Sequence, residues 1–106
     1  MIDWRTIEEA AKLLLGAAPE GSEVILFGSY ARGDPRDDSD LDFLVVEPGL
    51  ASRRKEMVRL RQVLRPLRVP ADVLVVSREV YESWKNAPNN VVGRAAHEGR
   101  SFGHAA

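Results

Sequence analysis

The sequence predicts an α/β (α+β) fold, a small mixed β-sheet with helices packed against it. Two short apolar runs, EVILF at 23–27 and LDFLVV at 41–46, flank a turn-rich connection. A third run, ADVLVV at 71–76, follows a segment of helical periodicity, which suits a right-handed parallel crossover. The first two strands, joined by a loop alone, are expected to run antiparallel.

The elements follow in order. Ile7, Ala11 and Leu14 recur at helical spacing, Thr6 and Glu9 fit a capping box, and Glu8 with Lys12 forms a favourable i,i+4 pair. A first helix is therefore expected over 6–15, broken by Gly16, Pro19 and Gly21. The connection 28–39 holds two glycines, a proline and several acidic turn formers, and Pro48 and Gly49 close the second strand. A helix over 52–67 presents Met57, Leu60, Leu64 and Leu67 on one face and stops at Pro70. Ser77 fits the N-cap of a short helix carrying Val80, Tyr81 and Trp84, with Tyr81 and Trp84 expected in the core. Asn90 fits the cap of a last helix through Glu98, with Val91, Val92, Ala95 and Ala96 inward and Gly99 as the stop. The tail 100–106 is expected to be loose.

With 106 residues, 44% hydrophobic and 29% charged, the chain suits one domain spanning 1–106 and one modest core. A net charge of −1 supplies no global field toward nucleic acid or membrane. The absence of cysteine excludes disulfides and thiolate zinc sites, and two histidines are too few for a histidine-rich metal site. No apolar run approaches the ~20 residues that span a bilayer. The acidic start MIDWRTIEEA lacks a signal-peptide core, so a cytoplasmic location is expected.

The topology makes a geometric prediction. Gly28 and Ser29 lie at the end of the first strand, where an antiparallel second strand begins with Asp40 and Asp42. The third strand, parallel to the second, starts at that same end with Asp72. Residues two apart on a strand share a face, so Asp40 and Asp42 point together. Clustered carboxylates beside apolar strands carry desolvation and repulsion costs, which a bound divalent cation would offset. Hard oxygen ligands suit Mg2+ or Mn2+, and a two-ion clamp would serve an in-line phosphoryl displacement. Gly28 lets backbone approach a phosphate, Ser29 adds a hydroxyl, and Arg32 either neutralises phosphate or pairs with a nearby aspartate.

The pattern Gly28-Ser29, ten residues, then Asp40-Leu41-Asp42, within GSYARGD and SDLDFLVV, resembles the signature of the DNA-polymerase-beta-like nucleotidyltransferase superfamily, in particular its minimal members. AAHEGR resembles the closing helix of that group. The resemblance implies a nucleotidyltransferase fold and transfer of a nucleoside monophosphate, AMP from ATP, onto a hydroxyl of a protein or small molecule with release of pyrophosphate. It implies that Gly28 and Ser29 hold the phosphates of a nucleoside triphosphate, that Asp40 and Asp42 ligate metal, and that Asp72 completes the site and orients or deprotonates the acceptor. It further implies the antitoxin of a toxin–antitoxin pair, partnered by a small helical HEPN-type protein or a second copy. The alternative is a non-catalytic module that neutralises a partner by contact.

Other residues have plainer readings. Asp34, Asp37 and Asp38 fit a solvated loop, and Gly33 a turn needing positive φ. The stretch 53–68 carries seven basic residues and one acidic one, which fits a solvated face, and its lack of aromatics argues against single-stranded nucleic acid. Tyr30 fits either packing or exposure beside the nucleotide. His97 and His104 receive no role.

Overall fold

The computed structural model describes residues 1–104, and its first helix begins earlier than the capping pattern predicts. Helix α1 spans Trp4–Ala17 because Asp3 is the N-cap, its carboxylate accepting the Thr6 N–H at 2.9 Å. Thr6 lies inside the helix and the Thr6/Glu9 capping box does not form. Gly16 is tolerated within the last turn, and the helix ends one residue before the Ala18-Pro19 step, where proline disfavours helical geometry. Ile7, Ala10, Ala11 and Leu14 form its buried stripe.

Strand β1, Glu23–Phe27, leads through Gly28 into a single-turn helix α2, Ser29–Arg32, closed by Gly33 at φ 85°. Strand β2 spans Leu41–Glu47 and pairs antiparallel with β1. Helix α3, Arg53–Val63, is shorter than the predicted 52–67. Pro66 lacks the N–H that a continuing α-helix would use, and the chain tightens into a 3-10 turn at Arg65–Leu67 before a left-handed residue, Arg68. Strand β3, Ala71–Ser77, runs parallel to β2 as expected from the helical crossover. Ser77 caps α4, Arg78–Trp84, through the Val80 N–H, and Asn90 caps α5, Val91–Glu98, through the Val92 N–H.

A fourth strand, β4 at Arg100–His104, pairs antiparallel with β1 where a loose tail was expected. The sheet order is β3-β2-β1-β4. RSFGH has one large apolar residue and no alternation, so its local signal is weak. The pairing is supplied by the edge of β1, which would otherwise leave backbone donors and acceptors open. Phe102 packs against the core, its ring 6.1 Å from that of Trp4, and the Arg100 guanidinium lies 4.9 Å from the Trp4 ring centre. The last two residues of the predicted loose tail lie outside the described residues.

Strand alternation divides the core into two layers. Leu41, Phe43, Val45, Val73 and Val75 face α1 and α3, while Ile25, Phe27, Leu44, Val46 and Val76 face α4 and α5. Met57 and Leu67 are half-buried against the first layer, with Leu60 and Leu64 inside it. Tyr30 is buried there too, and its hydroxyl accepts the Ile2 N–H at 3.0 Å, so packing accounts for it. Tyr81 is half-buried on the second layer, but Trp84 is 49% exposed, contrary to expectation. In a helix of two turns, Val80 and Trp84 share a face that the sheet does not reach, whereas Tyr81 falls on the inner side.

All seven basic residues of 53–68 are exposed, as a solvated face requires, and some of them also make ordered contacts. Arg59 binds both oxygens of Glu56 and the Ala17 carbonyl, and Arg53 donates at 2.7 Å to the Val75 carbonyl of the edge strand β3. No helix among the described residues is long and apolar enough to cross a membrane.

Candidate active site

Register decides which carboxylates meet. Asp42 and Asp72 are direct Cα partners across the parallel β2–β3 pair, so they leave the same sheet face at the same level. On its other side Asp42 is paired with Phe27. Both aspartates stand on the face covered by α4 and α5, at the end of the sheet where β1 gives way to Gly28. Asp40 precedes β2 and is exposed. Burial pushes the Asp42 carboxyl above its ordinary range, and the charges of Asp72 and Asp40 push it further. Arg32 and Arg94 pull it back. Asp42 thus feels the charges of both Asp72 and Asp40.

Gly28 adopts φ 78° and ψ −159°, a region that side chains rarely enter. A Cβ at this position would collide with the Asp42 carboxylate. Glycine thus permits both the bend and the close approach of backbone to carboxylate. Ser29 begins α2 and is half-buried.

Two of the expected ligands already have partners. Asp72 binds the Arg61 guanidinium at 2.6 Å, reached from α3 around the edge strand. Arg32 pairs with Asp34 at 3.4 Å, one of the two readings its position allowed, and also with Glu98. The Glu98 carboxylate accepts the Gly28 N–H at 3.3 Å and receives Arg32 Nη1 on both oxygens. Among the described residues, no group of three carboxylates or imidazoles is gathered closely enough to hold a metal ion unaided. The carboxylate oxygens of Asp40, Asp42 and Asp72 are the donor type that a hard divalent cation takes.

Three residues of this neighbourhood escaped sequence reasoning: Arg61, Arg94 and Glu98. Arg94 and Glu98 lie four apart, so they share a face of the last helix, and the same cleft, about 360 Å³, is lined by both together with Gly93 and His97. That spacing was available in the sequence, but nothing local said the face would meet the Gly28 turn. Gly99 explains the meeting. It sits where a Cβ would collide with the Ala95 carbonyl and the Ile25 side chain, so α5 ends tight against β1 and sets Glu98 beside Gly28.

Comparison with known proteins agrees with this architecture. A candidate nucleotidyltransferase from Sulfolobus solfataricus superposes with a TM-score of 0.63 at 24% identity, covering 94% of this chain and 78% of that one. A toxin–antitoxin structure with AMP-PNP gives 0.57 at 22% identity, covering 92% of this chain and 73% of that one. A mutant MntA–HpeT toxin–antitoxin structure gives 0.55 at 20% identity, covering 91% and 71% respectively. At these identities the likeness shows a shared fold. No curated protein matches the sequence. The sequence profile of the nucleotidyltransferase domain matches residues 5–94, most of the chain, and with the glycine-serine turn set against Asp42 and Asp72 it shows that the chain belongs to the nucleotidyltransferase domain family.

Proposed function

We propose that the chain transfers a nucleoside monophosphate, AMP from ATP, onto a hydroxyl of a protein or small-molecule acceptor, and that it serves as the antitoxin of a toxin–antitoxin pair, partnered by a small helical HEPN-type protein or a second copy. One observation carries the catalytic reading: Asp42 and Asp72 in direct register beside a glycine whose backbone abuts the Asp42 carboxylate. The fold shared with two toxin–antitoxin structures, one with AMP-PNP, supports the nucleotide and the setting.

The roles follow from position. Gly28, Ser29 and Arg32 bind the phosphates. Asp40 and Asp42, joined by Asp72, would hold Mg2+ or Mn2+, which supplies charge neutralisation at the transferred phosphate when bound. Asp72 orients the acceptor hydroxyl and takes its proton. The acceptor oxygen bonds to the α-phosphorus, the α–β anhydride bond breaks, and pyrophosphate leaves with its electron pair. Arg61, donating to Asp72, positions that carboxylate.

The Arg61–Asp72 pair also favours a second reading, a module that neutralises its partner by contact with the carboxylate set left unused. Purified protein, labelled ATP, Mg2+ and the helical partner separate the two. Label transfer that drops roughly a hundredfold or more in Asp42→Ala supports catalysis. Neutralisation that survives Asp40→Ala and Asp42→Ala, with binding retained and no label moved in the parent protein, refutes it.

A further inference from the structure

We infer that Glu98 is an internal occupant of the phosphate subsite, a carboxylate that holds the Gly28 N–H and Arg32 until a polyphosphate displaces it, and that it thereby sets nucleotide affinity. The inference rests on the phosphate role proposed for Gly28 and Arg32. Two of the three groups assigned to the phosphates are engaged by one side chain: the Gly28 N–H at 3.3 Å, and Arg32 Nη1 at 3.3 Å from each carboxylate oxygen. A planar anion with two acceptor oxygens is the closest match a protein side chain offers to a phosphate edge.

Packing of Gly99 against β1 brings the end of α5 to the turn, but helix electrostatics do not favour a carboxylate there. It is the last residue of α5, where the helix dipole is negative and a carboxylate is disfavoured. Its side chain is 24% exposed, so it is partly withdrawn from water as well. The contacts with Gly28 and Arg32 offset both costs. Arg32 responds in kind, its guanidinium held above its ordinary range first by the Glu98 hydrogen bond. Glu98 also borders the cleft lined by Arg94 and His97, so it stands between the glycine turn and open volume.

The consequence is competition. A polyphosphate must break the Glu98 contacts before it can use Gly28 and Arg32, and the displaced carboxylate then repels it. Removing the charge removes both penalties. Titration calorimetry with Mg2+-tripolyphosphate on the intact chain tests this without any turnover. Glu98→Gln, which keeps the size, and Glu98→Ala, which clears the space, are expected to bind about three- to tenfold more tightly than the parent. Equal or weaker binding by both variants, with circular dichroism unchanged, overturns the inference while leaving the nucleotide reading standing. If the parent and both variants all fail to bind tripolyphosphate and ATP, the phosphate role of Gly28 and Arg32 falls and this inference falls with it.

Discussion

Glu47→Gln tests the electrostatics of the far end of the sheet. Glu47 is the last residue of β2, only 2% exposed, and its Oε2 has no hydrogen-bond partner. Burial pushes its carboxyl up to about 8, and the hydrogen bond to Glu56 adds to the shift. Glu56, gripped by Arg59 at 2.7 and 2.8 Å, is held down at about 2. At neutral pH Glu47 therefore carries a proton and Glu56 does not.

The sign of the pH dependence follows. Glu47 has its folded value raised above the ordinary 4.5, so its contribution is fully present below about pH 4.5 and is lost as pH rises through about 8. Glu56 has its folded value lowered, so its contribution is present above about pH 4.5 and is lost as pH falls toward 2. One proton gained on folding weakens stability by just over 1 kcal/mol per pH unit, on the order of 3 kcal/mol across the window. For a domain of this size that corresponds to a fall in Tm on the order of 10 °C. Glutamine keeps the volume, still donates to Glu56, and does not titrate. Thermal unfolding of both proteins between pH 5 and 8 isolates the effect, since every other group titrates equally in each. The variant should lose less Tm than the parent as pH rises. A Tm difference that stays constant across the range refutes the buried-acid account.

Gly28→Ala places a Cβ against the Asp42 carboxylate at a positive φ, and should cost about 1–3 kcal/mol in denaturant unfolding as well as nucleotide transfer. Phe43→Ala empties the centre of the first core layer and should cost about 3–5 kcal/mol by urea titration, close to the whole stability of many small domains. Arg61→Gln breaks a half-exposed ion pair, so stability should change by less than about 1 kcal/mol while kcat of the transfer falls more than KM changes; a stability loss with kinetics unchanged would show the pair to be merely structural. Gly99→Ala drives a methyl into the Ala95 carbonyl and Ile25, and should lower Tm and loosen the Glu98 contact, seen as faster exchange of the Gly28 amide.

The antiparallel β1–β2 pairing, the parallel β2–β3 pairing and the convergence of their ends were legible in the chain itself. Apolar runs of strand length, one loop connection and one helical crossover leave few topologies, and the handedness rule selects among them. Period-2 alternation then leaves one step to the structure, the β2–β3 register, which pairs Asp42 directly with Asp72 and so puts them on one face. Local chemistry likewise marked Ser77 and Asn90 as caps, because a cap is a bond between near neighbours.

Tertiary structure alone decided what depends on distant partners. The strand at Arg100–His104 exists because β1 presents an open edge, and an edge leaves no trace in the sequence that fills it. Trp84 stays exposed because the sheet ends beneath its neighbour, a matter of extent rather than of hydrophobicity. Arg61 on Asp72 and Arg32 on Glu98 join side chains through space, across gaps of 11 and 66 residues. Charge pairing of that kind is set by where helices land after the core has packed. Periodicity determines which way a side chain faces, and only packing determines what it faces.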